Sequence, residues 1–320
     1  MIRRHPPARS SATRRQRGLS LVELMIASTI GLFIVVTISS LVVSAAAGSR
    51  SSEANAAMQA SARQAMDTLR VEFLHAGFPG LTRGEPGVSG AVSVGGDCAA
   101  GFSTNLRMRV WGANDANPFA ATCIPAATYS AGDVVAIRRV SLASVATPES
   151  DRVNVRSAYD RAVVFQGASA PSGVDAPFAD YNMAAAVYFI SPYTRTASES
   201  PRIPALYRVR LGAGPNMSAP ELVASGIENM QIEYGIRDAN GATIYVSANN
   251  VSASANSATT GVTEWDNLTS VRISLLVRSE SIEIGYAPGA RSVQVGDRSI
   301  AVNDSYRRQV VSSVIQLRNS

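Results

Sequence analysis

The chain has 320 residues, 46% of them hydrophobic, with 29 basic and 24 acidic side chains and a formal charge of +5, enough for an apolar anchor plus one large domain or two small ones. Every basic residue is Arg, which removes P-loop lysines, Ser–Lys dyads and Schiff-base lysines together. The only histidines are His5 and His75, so a His-based metal cluster or triad has almost nothing to draw on.

The positive charge is concentrated at the start. Arg3, Arg4, Arg9, Arg14, Arg15 and Arg17 precede Leu19 with no acid among them, and without residues 1–18 the remainder balances at −1. A nucleic-acid partner therefore gains no support from net charge. From Leu24 to Ser49 no residue is charged, a run long enough to cross a bilayer core of about 30 Å. The preceding arginines predict a cytoplasmic N-terminus and an exported C-terminal domain.

Three readings suit this segment. A cleaved secretory signal has a small-residue site at "SAAAGS", Ser44 to Ser49, but the apolar run is too long and an acid stands at its start. A plain signal anchor leaves Glu23 unexplained, at about 2.5–3.5 kcal/mol for an acid at mid-membrane and less near an interface. The third reading rests on "GLSLVELMIA", Gly18 to Ala27. It resembles the class III signal of type IV pilins and type II secretion pseudopilins: a basic leader ending in Gly, an apolar helix, and Glu at the fifth mature position. Leu19 stands where many members have Phe. The resemblance implies that prepilin peptidase cuts between Gly18 and Leu19 on the cytoplasmic side and methylates the new amine. The apolar helix then stays on the mature protein. Glu23 would neutralise that cationic amine when subunits leave lipid for a filament, since neither charge is stable alone in apolar surroundings.

Beyond Gly48 the pattern becomes an amphipathic helix. Met58, Ala62, Ala65, Met66, Leu69, Phe73 and Ala76 recur at three- and four-residue steps, with an end expected near Gly77 and Pro79. A continuous helix from Leu19 would be about 90 Å long, some three bilayer cores. Its second half must therefore pack on a globular domain. Gly31 and Ser39-Ser40 are candidate points of bending. His75 reads as structural, not as a ligand. The implied division is a leader at 1–18, a membrane and assembly helix at 19–48, an amphipathic helix at 49–78 and a β-rich head at 79–320.

In the head, "GDVVAIRRV", "AAAVYFI", "ALYRVRLG", "MQIEYGIRD", "ATIYVS", "SVRISLLVRS" and "QVVSSVIQL" predict strands. Val271, Ile273, Leu275 and Val277 should share one face. The expected architecture is α+β: a long N-terminal helix on a mainly antiparallel sheet. Regions 81–129, 141–186 and 247–264 read as loop-rich, with Ser247 to Gly261 mobile. Cys98 and Cys123 are either an exported disulfide, worth about 3–4 kcal/mol for such a loop, or two unrelated buried thiols. "RDANGATIY" offers Asp238 and Asn240 to a calcium ion, although Asn240-Gly241 between two strand-like runs is a hairpin signal. The glycine-rich "GEPGVSG" and "GVSGAVSVGG" lack the context of a phosphate loop. The Arg pairs 138–139 and 307–308 suit solvated strand faces or partner contacts.

The C-terminal half narrows the resemblance. "ELVASGIENMQIEYGI", "TEWDNLTSVRISLLVRS" and the closing "YRRQVVSSVIQLRNS" are similar to PilW-type minor pilins, and "LHAGFPG" fits the group's helix end. That family implies a structural subunit: no enzyme, no cofactor and no resident metal. Its implied role is priming pilus assembly within a tip complex. The implied partners are other minor pilins and the major pilin through the N-terminal helix, a large tip adhesin, prepilin peptidase, and the inner membrane before assembly. The protein would be a single-pass inner-membrane chain with a periplasmic head, later extracellular in the pilus. Two alternatives differ in class: a J-type minor pseudopilin of type II secretion, and a membrane-anchored exported enzyme or binding protein.

Overall fold

The computed structural model describes residues 18, 20–83, 86–88, 92–238, 240–252, 263–283 and 285–318. The chain divides into two compact units, Met1–Ser52 and Glu53–Ser320. One helix, α1 (Leu21–His75), contributes to both.

In the second unit the helix stripe lies where its periodicity puts it. Met58, Ala62, Ala65, Met66, Leu69, Phe73 and Ala76 are all buried and belong to the largest hydrophobic cluster. The helix stops because Gly77 takes φ +72° and turns its N–H to the carbonyl of Arg138 at 2.7 Å. A Cβ at Gly77 would strike the Arg109 side chain, so the position demands glycine twice over.

One sheet contains β1 (Pro86–Val88), β2 (Val110–Ala113), β3 (Val134–Val140), β4 (Val153–Ala158), β5 (Ala162–Gln166), β6 (Phe178–Ser191), β7 (Ala205–Arg210) and β8 (Glu221–Ser225). Its order is β1-β5-β4-β6-β3-β2, with β7 pairing the C-terminal half of β6 and β8 pairing β7. A second sheet contains β9 (Ile227–Arg237), β10 (Thr243–Ser247) and β11 (Ser270–Arg278). β12 (Arg291–Val295) and β13 (Arg298–Val302) form a separate hairpin, and β14 (Arg308–Gln316) completes the second sheet in the order β10-β9-β11-β14. Among the described residues every strand pair is antiparallel except β1 with β5. The fold is α+β, and all seven strand-like runs lie on strands.

Val271, Ile273, Leu275 and Val277 of β11 enter the helix cluster together with Met230, Ile232 and Tyr234 of β9. Val135 and Ile137 of β3 and Tyr188 and Ile190 of β6 join from the first sheet. The β12–β13 hairpin covers the opposite face of β9 and β11: a Cβ on Gly296, at its tip, would collide with the Gln231 side chain and touch that of Ser274.

The loop-rich reading of 81–129 and 141–186 requires correction. β4, β5 and the first half of β6 lie in the latter, β1 and β2 in the former. Polar residues there sit inside the sheet, with Asn154, Ser157 and Asp180 all buried, and their bonding hides the strand pattern. Asp180 takes Nε and Nη2 of Arg156, each at 2.8 Å. In the third such region, Ser247 ends β10 and Ala248–Asn250 forms a 3₁₀ turn, while residues 253–262 lie outside the described residues.

Candidate assembly helix and processing site

Gly18, Ser20 and Glu23 are described and exposed; Leu19 lies outside the described residues. Ser20 precedes the first helical residue, and its carbonyl accepts the N–H of Leu24 at 3.1 Å. The Ser20 N–H donates back to Glu23 Oε2 at 2.9 Å. Glu23 thus stands three residues into the helix and satisfies an amide that no helical carbonyl can reach, which is the carboxylate half of a capping box. Its negative charge also faces the positive end of the helix dipole.

Beyond Glu23 the helix is apolar all round. Leu24, Met25, Ile26, Ile30, Leu32, Phe33, Ile34, Val35, Val36, Ile38, Leu41, Val42 and Val43 are all exposed. Five hydroxyls among them bond within the helix. Ser28 donates to Met25, Thr29 to Ile26, Thr37 to Ile34, Ser40 to Thr37 and Ser44 to Leu41, all to backbone carbonyls within 3.0 Å. Such internal satisfaction is what a hydrocarbon environment requires. By length and composition this helix can cross a membrane.

Within the head, two contacts fix the amphipathic half. Arg139 on β3 grips Glu72 through Nε at 3.1 Å and Nη2 at 3.2 Å. Gln64 Nε2 donates to the carbonyl of Val223 on β8 at 2.7 Å. His75 Nδ1 lies 2.8 Å from the carbonyl of Val71.

The two cysteines meet: Cys98 and Cys123 form a disulfide across a separation of 25 residues. Its loop is held from below by Arg138, whose side chain is wholly buried. Arg138 Nε donates to the carbonyl of Phe102 at 2.6 Å, Nη1 to that of Met108, and the guanidinium stacks 3.9 Å from the Phe102 ring centroid. Burial lowers its pKa to about 9 against the attraction of Asp97. Arg307 pairs with Glu283, and Arg308 with Glu228 and Asp304. The expectation of solvated Arg pairs is therefore corrected for Arg138, Arg139 and Arg308, which are buried or mostly shielded, whereas Arg307 keeps 31% side-chain exposure beside Glu283.

Asp238 and Asn240 form the turn between β9 and β10. Asp238 Oδ1 accepts the N–H of Asn240 at 2.9 Å and that of Ala242 at 2.8 Å, and Gly241 takes φ +80°. The carboxylate is used by its own loop, as an Asx turn uses it. Asp133 drew no notice in the sequence. It is buried between the sheets, where Oδ1 accepts the N–H of Asp115 at 3.0 Å and Oδ2 that of Ile232 at 2.7 Å. The signal available was an acid directly before the run "VVAI".

The family described as Type IV Pilus-assembly protein W matches residues 187–319, and the prokaryotic N-terminal methylation motif matches residues 13–39. No curated protein and no solved structure matches the chain.

Proposed function

We propose that this chain, a PilW-type minor pilin anchored by its N-terminal apolar helix in the inner membrane with the head in the periplasm, helps prime pilus assembly and remains in a complex at the pilus tip. The observation that carries the reading is the join within α1. An uncharged helix with Glu23 at its start continues into a stripe buried under a head that spans most of the chain. A chain built this way assembles through its helix and presents the head. A head of this bulk is awkward to repeat at every level of a filament and is accommodated at its end.

Cleavage after Gly18 exposes the amine of Leu19, which pairs with the Glu23 carboxylate of its own or an adjacent helix in the apolar bundle. The partners on this reading are other minor pilins and the major pilin along the helix, a tip adhesin on the head, and prepilin peptidase beforehand. Mass spectrometry of the mature chain tests the first step: methylated Leu19 is the expected N-terminus, and a chain beginning near Gly48 overturns the reading. Deletion of the gene should abolish twitching and surface pili while leaving exoprotein secretion intact. The opposite result would make the chain a secretion pseudopilin.

A further inference from the structure

β14 ends the second sheet, and among the described residues no strand pairs with its outer edge. Its register with β11 runs unbroken from Arg308 opposite Arg278 to Gln316 opposite Ser270. Two hydrogen bonds just beyond the paired segment fix which amides face inward. Leu317 N–H donates to the carbonyl of Thr269 at 3.0 Å, and Ser279 N–H to that of Arg307 at 2.9 Å. Odd-numbered residues of β14 therefore direct their backbone groups to β11, and the amides and carbonyls of Val310, Ser312, Val314 and Gln316 point outward. These same four residues are exposed, Val314 at 53%.

Exposed edges are normally blunted by charge, proline or a bulge. This one has none of them: Gln309 to Gln316 contains no charged residue and no proline, and its ladder has no shift. Arg308, at the strand's start, is consumed by Glu228 and Asp304.

The direction of the strands selects the occupant. A second copy pairing β14 with β14 needs a two-fold axis normal to the sheet. Such an axis would set the two packed helices, residues 53–75, antiparallel, in conflict with the shared helix direction that subunits of one filament have on the proposed reading. A co-oriented neighbour avoids the conflict. β14 is antiparallel to β11, β11 to β9 and β9 to β10, so the far edge of a sheet built like this one runs opposite to β14. It can join β14 without reversing its helix.

We propose that the outer edge of β14 receives, by antiparallel strand addition, an uncharged edge strand of a neighbouring helix-anchored head in the same orientation, with β-branched residues set against Val310 and Val314. This rests on the reading of the chain as a pilus subunit and identifies the surface of the head that such a neighbour uses.

The experiment is photocrosslinking in living cells, with p-benzoylphenylalanine introduced at Gln316 of the full-length chain and the adduct sequenced by mass spectrometry. The expected adduct lies on a strand of another subunit that carries a prepilin methylation motif. Val314→Pro, which removes one outward amide, should lower its yield at least about tenfold, and Val314→Lys, which keeps the amide and adds a charge, about threefold. Both variants are checked for the wild-type melting temperature and an intact Cys98–Cys123 disulfide, and a variant that fails the check is replaced in the comparison by the other. No adduct, an adduct between two β14 strands, an adduct on a protein without the motif, or a yield unchanged in the folded variants overturns the proposal. Processing at Leu19 and pilus formation are scored in the same cells. If both persist while the adduct is absent, the edge assignment alone fails; if processing is absent, the pilus reading fails.

Discussion

Ser20 and Glu23 are joined by a 2.9 Å hydrogen bond in which the backbone N–H of the first meets the carboxylate of the second. On the proposed reading the capping acid is also the assembly acid, and the two roles make different demands. Capping needs only an acceptor oxygen, which an amide supplies; neutralising a freed α-amine needs the negative charge. Glu23→Gln should therefore be cleaved and inserted as well as wild type yet enter filaments at least about tenfold less, a loss of about 1.4 kcal/mol. Immunoblots of sheared pili against whole membranes measure this. If the Gln variant is incorporated normally and only Glu23→Ala is lost, capping is the function of the acid.

The pair Glu72 and Arg139 ties the helix to β3 with both partners mostly shielded, at 17% and 18% side-chain exposure. Removing one member leaves the other charge half-buried, which costs more than the pair contributes. Glu72→Ala should destabilise the head by about 1–3 kcal/mol, a fall of a few degrees in Tm. The double change with Arg139→Met should recover part of that loss. A double-mutant cycle by thermal melting measures the coupling.

How far each part was legible depended on the range of the interactions behind it. The helix stripe from Met58 to Ala76 was readable residue by residue, because a 3.6-residue period and burial on one face are the same fact. β11 and β9 were readable as apolar runs. β4 and the front of β6 were hidden by Asn154, Ser157 and Asp180, of which Ser157 accepts from Leu81 and Thr82 and Asp180 pairs with Arg156 across the strand pair, all distant in sequence. Arg138 and Arg139 were misread for the same reason, since Phe102, Met108 and Glu72 are far away in sequence. At the N-terminus, Gly18 and Glu23 were legible as a motif. The bond from Ser20 to Glu23 required coordinates.

The disulfide and Arg138 act on one loop, so their losses should not add. Cys98→Ser with Cys123→Ser frees the unfolded chain of a 25-residue closure and should cost about 3 kcal/mol. Arg138→Met strands the carbonyls of Phe102 and Met108 in the interior and should cost about 2–3 kcal/mol. In the combined variant the loop is already released from its clamp, so the carbonyls can reach water. The total should fall short of the sum by at least about 1 kcal/mol, read from denaturant midpoints. Strict additivity would show that the two features hold separate parts of the domain.

Asp133 gives the head a pH dependence of unusual sign. Its carboxyl is pushed up to about 7, chiefly by burial and further by the nearby charges of Asp115 and Asp297, although the N–H groups of Asp115 and Ile232 pull the other way. Tyr129, whose hydroxyl donates to the carbonyl of Gly132, the buried Tyr234, and Arg298, paired with Asp115, are the other titratable groups around it. The folded state holds this proton more tightly than the unfolded chain, where an ordinary aspartate releases it near pH 4. The stability Asp133 contributes is therefore complete below about pH 4, declines as pH rises towards 7, and is constant above, a change on the order of 4 kcal/mol at most. Partnered carboxylates such as Asp304, held down first by its hydrogen bond to Arg308, lose their contribution below the usual carboxylate range, outside this window. The wild-type head should lose several degrees of Tm between pH 5 and 7.5, and Asp133→Asn, which cannot ionise, should flatten that slope while retaining an oxygen for one of the two amides. A slope of the same size in the variant would show that another group carries it.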